Sequence, residues 1–415
     1  MNVNDIKPEV YELAHQAEAE IRPQFKRIDR IAMVNTRKVM TAFQDNRVSD
    51  SCFAGTSGYG YDDVGREVLD KVYAQVFCTE AALVRIGFVN GTHALSAALF
   101  AMLKPGDTLL SVTGLPYDTL RNAIGIEGEC HGSLKFYGIN YKQVDLRDGE
   151  PDIEAIKAAL SDKSVTAVLI QRSRGYENRK ALSAEEIGEI CSAVKSVAPN
   201  VTVMVDNCYG EFTGEHEPTE YGVDIMAGSL IKNPGGGLAP TGGYIVGRKD
   251  LVENAAMRLT TPGIGGECGA SLGNNRLLFQ GFFMAPHIVA QAIKTVTFCS
   301  AMMKKIGFES SPAPDEARND IIQMVTLKNA ENMKKFCRGV QAGAPVDSYV
   351  TPEPWQMPGY NVPVIMAAGA FVQGSSIELS ADGPMREPYT LYVQGGITYE
   401  SGKLGIMMAV NEMLS

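Results

Sequence analysis

Between about residues 80 and 250 short apolar runs alternate with helix-like patterns, an order that few folds accept. AALVRIGFV precedes GTHALSAALFAML, TLLSV precedes a helix near 117 to 124, YKQVDL one across 151 to 161, and VTAVLIQ one across 183 to 197; VTVMVD, IMAGS and GGYIVG follow. Such alternation predicts βαβ units and a mostly parallel sheet. Several runs are apolar at every position, as strands covered by helices on both faces must be. The predicted class is α/β.

The flanks read differently. Residues 5 to about 46 carry apolar side chains at helical spacing, Gly and Ser then crowd SDSCFAGTSGYGY, and DDVGREVLDKVYAQVF is helical again, with Leu69, Val72, Val76 and Phe77 on one face. Two helices, about 269 to 282 and 285 to 306, follow the sheet. Beyond SPAPDEARND come IIQMVTL, a helix from about 328 to 340, PVIMAAG, SSIELS, YTLYVQ and a last helix from about 401 to 413. The expected organisation is a helical arm and loop over 1–60, a large α/β domain over 61–300 and a small α+β domain over 301–415, since 415 residues exceed one ordinary core.

Charge narrows the function classes. Lys plus Arg number 38 against 48 Asp plus Glu, a formal −10 with no basic run, which argues against nucleic acid as a partner. The start, MNVNDIKPEVYELAHQ, lacks the basic and apolar regions of a secretory signal. The apolar stretch from Val362 to Val372 is far short of the ~20 residues of a membrane helix. The expectation is a soluble cytoplasmic chain with no membrane partner. Its eight scattered cysteines read as reduced thiols, and its five histidines form no metal-ligand spacing, so no metal is expected.

Asp206 ends the apolar run VTVMVD. It could simply start a turn, or it could be the anionic partner of a cation at the carboxyl end of a parallel strand, where open α/β sheets bind ligands. A cation follows in GSLIKNPGGGLAPTGG: Lys232 lies among small and apolar residues, whose desolvation would lower its pKa and make it a Schiff-base nucleophile. A lysine amine and a carboxylate for a ring nitrogen are what pyridoxal 5'-phosphate asks of a protein. Its phosphate would need donors, and Gly91 and Thr92 open a helix whose N–H groups face an anion, with the Ser229 hydroxyl as a further donor. Tyr117, at the start of the next helix, could stack on the ring.

GTHA, LPYDT, VDNCYGEF and GSLIKNPGG, with GYGYDDVGRE, VRIGFVNGTHAL, IQRSRGY, TPGIGGECGA and YVQGGITYESGKLG, cover nearly the whole chain. Together they resemble fold-type I pyridoxal-phosphate enzymes, in the cystathionine lyase-like branch of aluminium-resistance or methionine γ-lyase-related proteins. The resemblance implies an aspartate aminotransferase-like fold, catalytic Lys232, Asp206 and Tyr117, and phosphate contacts from Gly91, Thr92 and Ser229. It also implies a homodimer or homotetramer with shared sites, to which the GYGYDD segment would bring Tyr59 and Tyr61.

Two departures stand out. Tyr61 occupies the place of the lyases' arginine, with Arg66 further along, and Ile231 replaces the threonine before the lysine. His93 is then either an added phosphate contact or a helix cap. A substrate carboxylate calls for an arginine; Arg386 lies in the small domain, as in the lyases, while Arg174 and Arg172 compete. The implied activity is a carbon–sulfur lyase on a sulfur-containing amino acid, by β- or γ-elimination. An aminotransferase and a non-catalytic cofactor-binding regulator are the alternatives, and no residue pattern here suggests an aluminium site.

Overall fold

The computed structural model describes residues 2–128, 130–356 and 362–415. Two compact units are present, one of residues 36–283 and one of residues 1–35 together with 284–415. Both unit boundaries fall inside long helices, α1 (Pro8–Asp45) and α8 (Asn275–Lys305).

In the unit of residues 36–283, helices α2 (Val64–Val76) to α7 (Lys249–Leu259) accompany a seven-stranded sheet. Its strands are β1 (Ala81–Arg85), β2 (Thr108–Ser111), β3 (Asn140–Gln143), β4 (Val165–Gln171), β5 (Thr202–Asp206), β6 (Ile225–Ser229) and β7 (Gly243–Gly247). They are arranged β1-β7-β6-β5-β4-β2-β3, parallel throughout except that β7 runs against both its neighbours. Strands β5, β6 and β7 are buried along almost every residue, which explains their lack of polar alternation. One face packs Leu83, Leu109, Leu169, Met204, Ile225 and Ile245 against α3 (Gly91–Met102) and α7 through Leu95, Leu99 and Leu251. β1 stops at Arg85, four residues before the strand end expected near Val89; there Arg85 pairs with Asp70 at 2.8 Å, and Asp70 also accepts the Val84 N–H.

The other unit holds a five-stranded sheet of β8 (Glu309–Ser311), β9 (Ile322–Thr326), β10 (Val364–Ala368), β11 (Ser380–Pro384) and β12 (Thr390–Gln394), ordered β10-β11-β12-β9-β8. Helices α9 (Ala330–Ala342) and α10 (Tyr399–Met413) belong to it. Val10, Ala14, Ala17 and Ile21, a helical stripe of α1, are buried in one cluster with Met302, Val325, Phe336 and Ile406.

Two local expectations fail for identifiable reasons. The segments read as separate helices around Pro286 are one helix, α8, which begins only at Asn275 because Leu272 and Gly273 have positive φ. SSIELS is a loop up to its last residue, Ser380, where β11 begins, and the loop is tied by the buried Glu378 carboxylate, which accepts the Phe371 and Val372 N–H groups at 2.8 and 3.0 Å. α8, unlike the stretch singled out in the sequence, is long and apolar enough to cross a bilayer, but 78% of that apolar window is buried inside the protein.

Candidate active site

The carboxyl ends of β4, β5 and β6 converge, with Gln171 beside Asp206 and Asp206 beside Ala227 in register. Asp206 is only 6% exposed. Its Oδ1 accepts the Cys208 N–H at 3.0 Å, so the turn-forming role is real, yet the carboxylate also faces charge. Burial raises its pKa, and Lys232, the Cys208 N–H and Arg179 oppose the rise.

Lys232 follows β6 by way of Leu230 and Ile231, and positive φ at Gly236 and Gly237 lets the chain double back behind it. Its Nζ lies 3.9 Å from the centroid of the Tyr209 ring, a cation–π contact. Tyr209 has φ +73°, a left-handed conformation that costs a non-glycine residue energy and recurs at functional sites. The lowered lysine pKa expected from the apolar flanks is not found. Burial pulls the amine down, but Cys208, Tyr209, Tyr117 and Asp206 outweigh it and the net shift is upward. Thiols and phenols carry charge only at alkaline pH, so at neutral pH Asp206 is the anion that matters among these four.

The start of α3 forms the other wall. Asn90 caps it, its Oδ1 accepting the His93 N–H at 2.9 Å. A Cβ on Gly91 would stand 3.0 Å from the Ser229 Cβ and 3.5 Å from Cys208 Sγ, so glycine allows the helix to abut β6. The Ser229 hydroxyl is buried and has no hydrogen-bond partner among the described residues. Thr92 Oγ1 lies 2.6 Å from Thr119 Oγ1 on α4 (Asp118–Ile124). His93 Nδ1 accepts the Val89 N–H at 3.2 Å, and burial lowers the ring's pKa; it closes the loop into its own helix. Tyr117, the residue before α4, is half-buried with its ring 6.0 Å from that of Tyr176.

The arginines divide by role. Arg172 donates to Asn207 Oδ1 at 2.8 Å and pairs with Glu217 at 3.1 Å, so its guanidinium is committed within the fold. Arg179 donates to the carbonyls of Gln171 and Ser173. Arg174 follows β4 and is 0% exposed. Arg386 is exposed in the turn between β11 and β12, in the other unit. Arg66 donates to the carbonyls of Gly60 and Gly269 at 2.6 and 2.9 Å, pinning two loops together. The loop it pins presents Tyr59 and Tyr61, stacked at 5.6 Å and 74% and 56% exposed.

Thr119, Cys208, Tyr209 and Glu211 also enter this region; of these only Tyr209 stands out in the sequence, and none is assigned a role there. VDNCYGEF held three of them; the signal was a polar and aromatic run directly after a buried strand end.

Comparison with known proteins accords with this architecture. The methionine gamma-lyase family matches residues 10–414. The Bacillus subtilis protein YnbB is 49% identical over 403 residues, 97% of this chain and 96% of its own. A carbon-sulfur lyase involved in aluminum resistance from Clostridium novyi is 52% identical, with a TM-score of 0.94 over 98% of this chain and 96% of that one. The pyridoxal-5'-phosphate dependent protein YhfS of Escherichia coli, at 18% identity, shares the fold with a TM-score of 0.61 over 92% of this chain and 95% of its own. The fold is therefore the fold-type I architecture, and the chain belongs to the methionine gamma-lyase family.

Proposed function

We propose that this chain is a pyridoxal-phosphate-dependent carbon–sulfur lyase that eliminates the β- or γ-substituent of a sulfur-containing amino acid, in the manner of cystathionine β-lyase or methionine γ-lyase. The observation that carries the reading is the grouping at the β5 and β6 ends: the Lys232 amine over Tyr209, the buried Asp206 carboxylate, and the partnerless Ser229 hydroxyl against the start of α3. These residues fit the cofactor on their own chemistry, offering an amine, an anion and unspent donors. When bound, pyridoxal phosphate supplies an aldehyde for a lysine amine and a ring that accepts the electrons of a bond breaking at an amino acid's α-carbon.

Each side chain then has a task. The N–H groups of Gly91 and Thr92 and the Ser229 hydroxyl take the phosphate, with Thr119 steering the Thr92 hydroxyl. Tyr117 would stack on the ring, and Asp206 would hold a proton at the ring nitrogen by its charge. Lys232 would hold the cofactor by its aldehyde, and its amine, when free of it, would move the substrate's α-proton. Arg174 or Arg386 receives the substrate carboxylate, and Tyr59 and Tyr61, with His93 as a lesser contact, complete a phosphate site shared between copies in a homodimer or homotetramer.

Release of a 2-oxo acid together with ammonia from one sulfur-containing amino acid, with no amino-group acceptor added, is the expected outcome. Turnover only with an added 2-oxo acid acceptor would make the chain an aminotransferase. Bound cofactor without turnover on any amino acid would make it a binding protein.

A further inference from the structure

Glu211 lies two residues beyond Tyr209 and has no part in the chemistry above. It is 0% exposed. Its Oε1 accepts the Tyr244 hydroxyl at 2.8 Å, while its Oε2 has no hydrogen-bond partner among the described residues. Glu211 touches both sides of the segment that carries Lys232, by its carboxyl on one side and by its main-chain oxygen on the other. On one side, a Cβ at Gly228 of β6 would come 2.7 Å from Oε1, so only glycine lets the carboxyl lie against that strand. On the other, the Glu211 main-chain oxygen accepts Asn233 Nδ2 at 2.9 Å.

The charge around this carboxyl is lopsided. The neighbouring buried acid, Glu217, has Arg172 at 3.1 Å and the Phe212 N–H at 2.8 Å. Arg172 is spent on Glu217 and Asn207, and among the described residues no cation forms a salt bridge with Glu211. The titratable groups that face Glu211 are Tyr244 on β7, Tyr73 on α2, Cys208 and Glu217 in the loops after β5, and Lys232. Two acceptor oxygens in this region, Glu211 Oε2 and Asn233 Oδ1, lack donors among the described residues. A proton on Oε2 turns one acceptor into a donor and removes an uncompensated buried charge.

We propose that Glu211 is a buried positioning acid that carries its proton at neutral pH and so leaves Asp206 as the anion that sets the charge of Lys232. The role at Lys232 rests on the function proposed above; the protonation does not. Burial, chiefly, pushes the Glu211 pKa up to about 8, against its ordinary 4.5. An acid raised on folding weakens the fold as it ionises. The deficit is absent below pH 4.5, grows as pH rises and is complete above about 8. Loss of the proton places a second buried anion near Lys232, which holds the amine's own proton more tightly and so lowers the fraction of free amine.

The test compares the wild type with Glu211→Gln, a fixed neutral isostere, by thermal unfolding from acid to alkaline pH. The melting-temperature advantage of the variant should be flat in acid, widen through neutrality and level off near pH 8. A constant gap, or one that favours the wild type as pH rises, overturns the proposal. Should Glu211→Gln not fold, Tyr244→Phe serves: losing the hydrogen bond to the anion should move the levelling point to higher pH, and an unmoved or lowered point overturns it. The link to Lys232 is read separately, by adding pyridoxal phosphate, trapping with borohydride and following the mass added to Lys232 against pH. The wild-type labelling rate should show an extra break near the levelling point that Glu211→Gln lacks; identical profiles overturn the coupling. Absence of label on Lys232 in both proteins sinks the lyase reading and with it the coupling, while the melting profile still decides whether Glu211 is neutral.

Discussion

At Asp206 a turn-forming residue and a charge-bearing residue are the same carboxylate. One oxygen accepts the Cys208 N–H and fixes the start of the loop, and the charge faces Lys232. Asp206→Asn keeps the size and the turn-forming capacity but loses the charge. Cofactor should remain bound while α-proton exchange on an amino acid slows ~10²-fold or more, the usual cost of losing a group aimed at developing charge; exchange at the wild-type rate would leave Asp206 as a turn former alone. Asp206 and Lys232 could be read from the sequence because each sits just past an apolar strand. The roles of Thr119, of Arg66 as a tie to Gly269 and of Glu211 as a partner of Tyr244 could not, because these contacts span 27, 203 and 33 residues and no local pattern encodes them. The pKa of Lys232 went astray for a related reason: its apolar chain neighbours pointed downward, while the groups that set it come from the end of β5, the loop after it and the start of α4.

Among the elements, α2 shows how a cap organises a loop. The Asp63 side chain accepts the Arg66 N–H at 2.9 Å and the Asn275 Nδ2 at 3.0 Å, and also bonds Thr56, so the loop carrying Tyr59 and Tyr61 is fastened at both ends. Burial resists the charge, but the hydrogen bonds from Ser271, Thr56, Arg66 and Asn275 prevail and hold the pKa at about 2, below the ordinary 3.8. A depressed acid stabilises the fold above its unfolded pKa, and that contribution drains away as pH falls through its folded pKa. Asp63→Asn should therefore cost on the order of 2 kcal/mol near neutrality, and the gap from wild type should close between pH 3.8 and about 2. Chemical denaturation at several pH values measures it; a gap that stays constant would remove the charge from the explanation. The parallel strands β2, β4, β5 and β6 were legible because they are buried on both faces, whereas β3, NYKQ, is polar and mostly exposed. α8 was not legible, because Pro286 reads as a break where the helix runs through, and SSIELS was not, because its apolar residues serve a loop tied by Glu378.

For the whole molecule, chain order of the strands follows from the βαβ pattern, whereas the two unit boundaries do not, since both lie within continuous helices. The exposed, stacked Tyr59 and Tyr61 bear on assembly. If they reach a neighbour's phosphate site, mixing inactive Lys232→Ala subunits with impaired Tyr59→Phe/Tyr61→Phe subunits should restore activity, because some hybrids hold one site with every residue intact. No recovery despite proven subunit exchange would confine the site to one chain. The central claim, that Lys232 is the amine that binds pyridoxal phosphate, is tested most directly by reducing the cofactor-loaded protein with borohydride, digesting it and mapping the added mass. The account predicts one modified peptide, with the mass on Lys232; a map that places it on another lysine, or finds none, would contradict it.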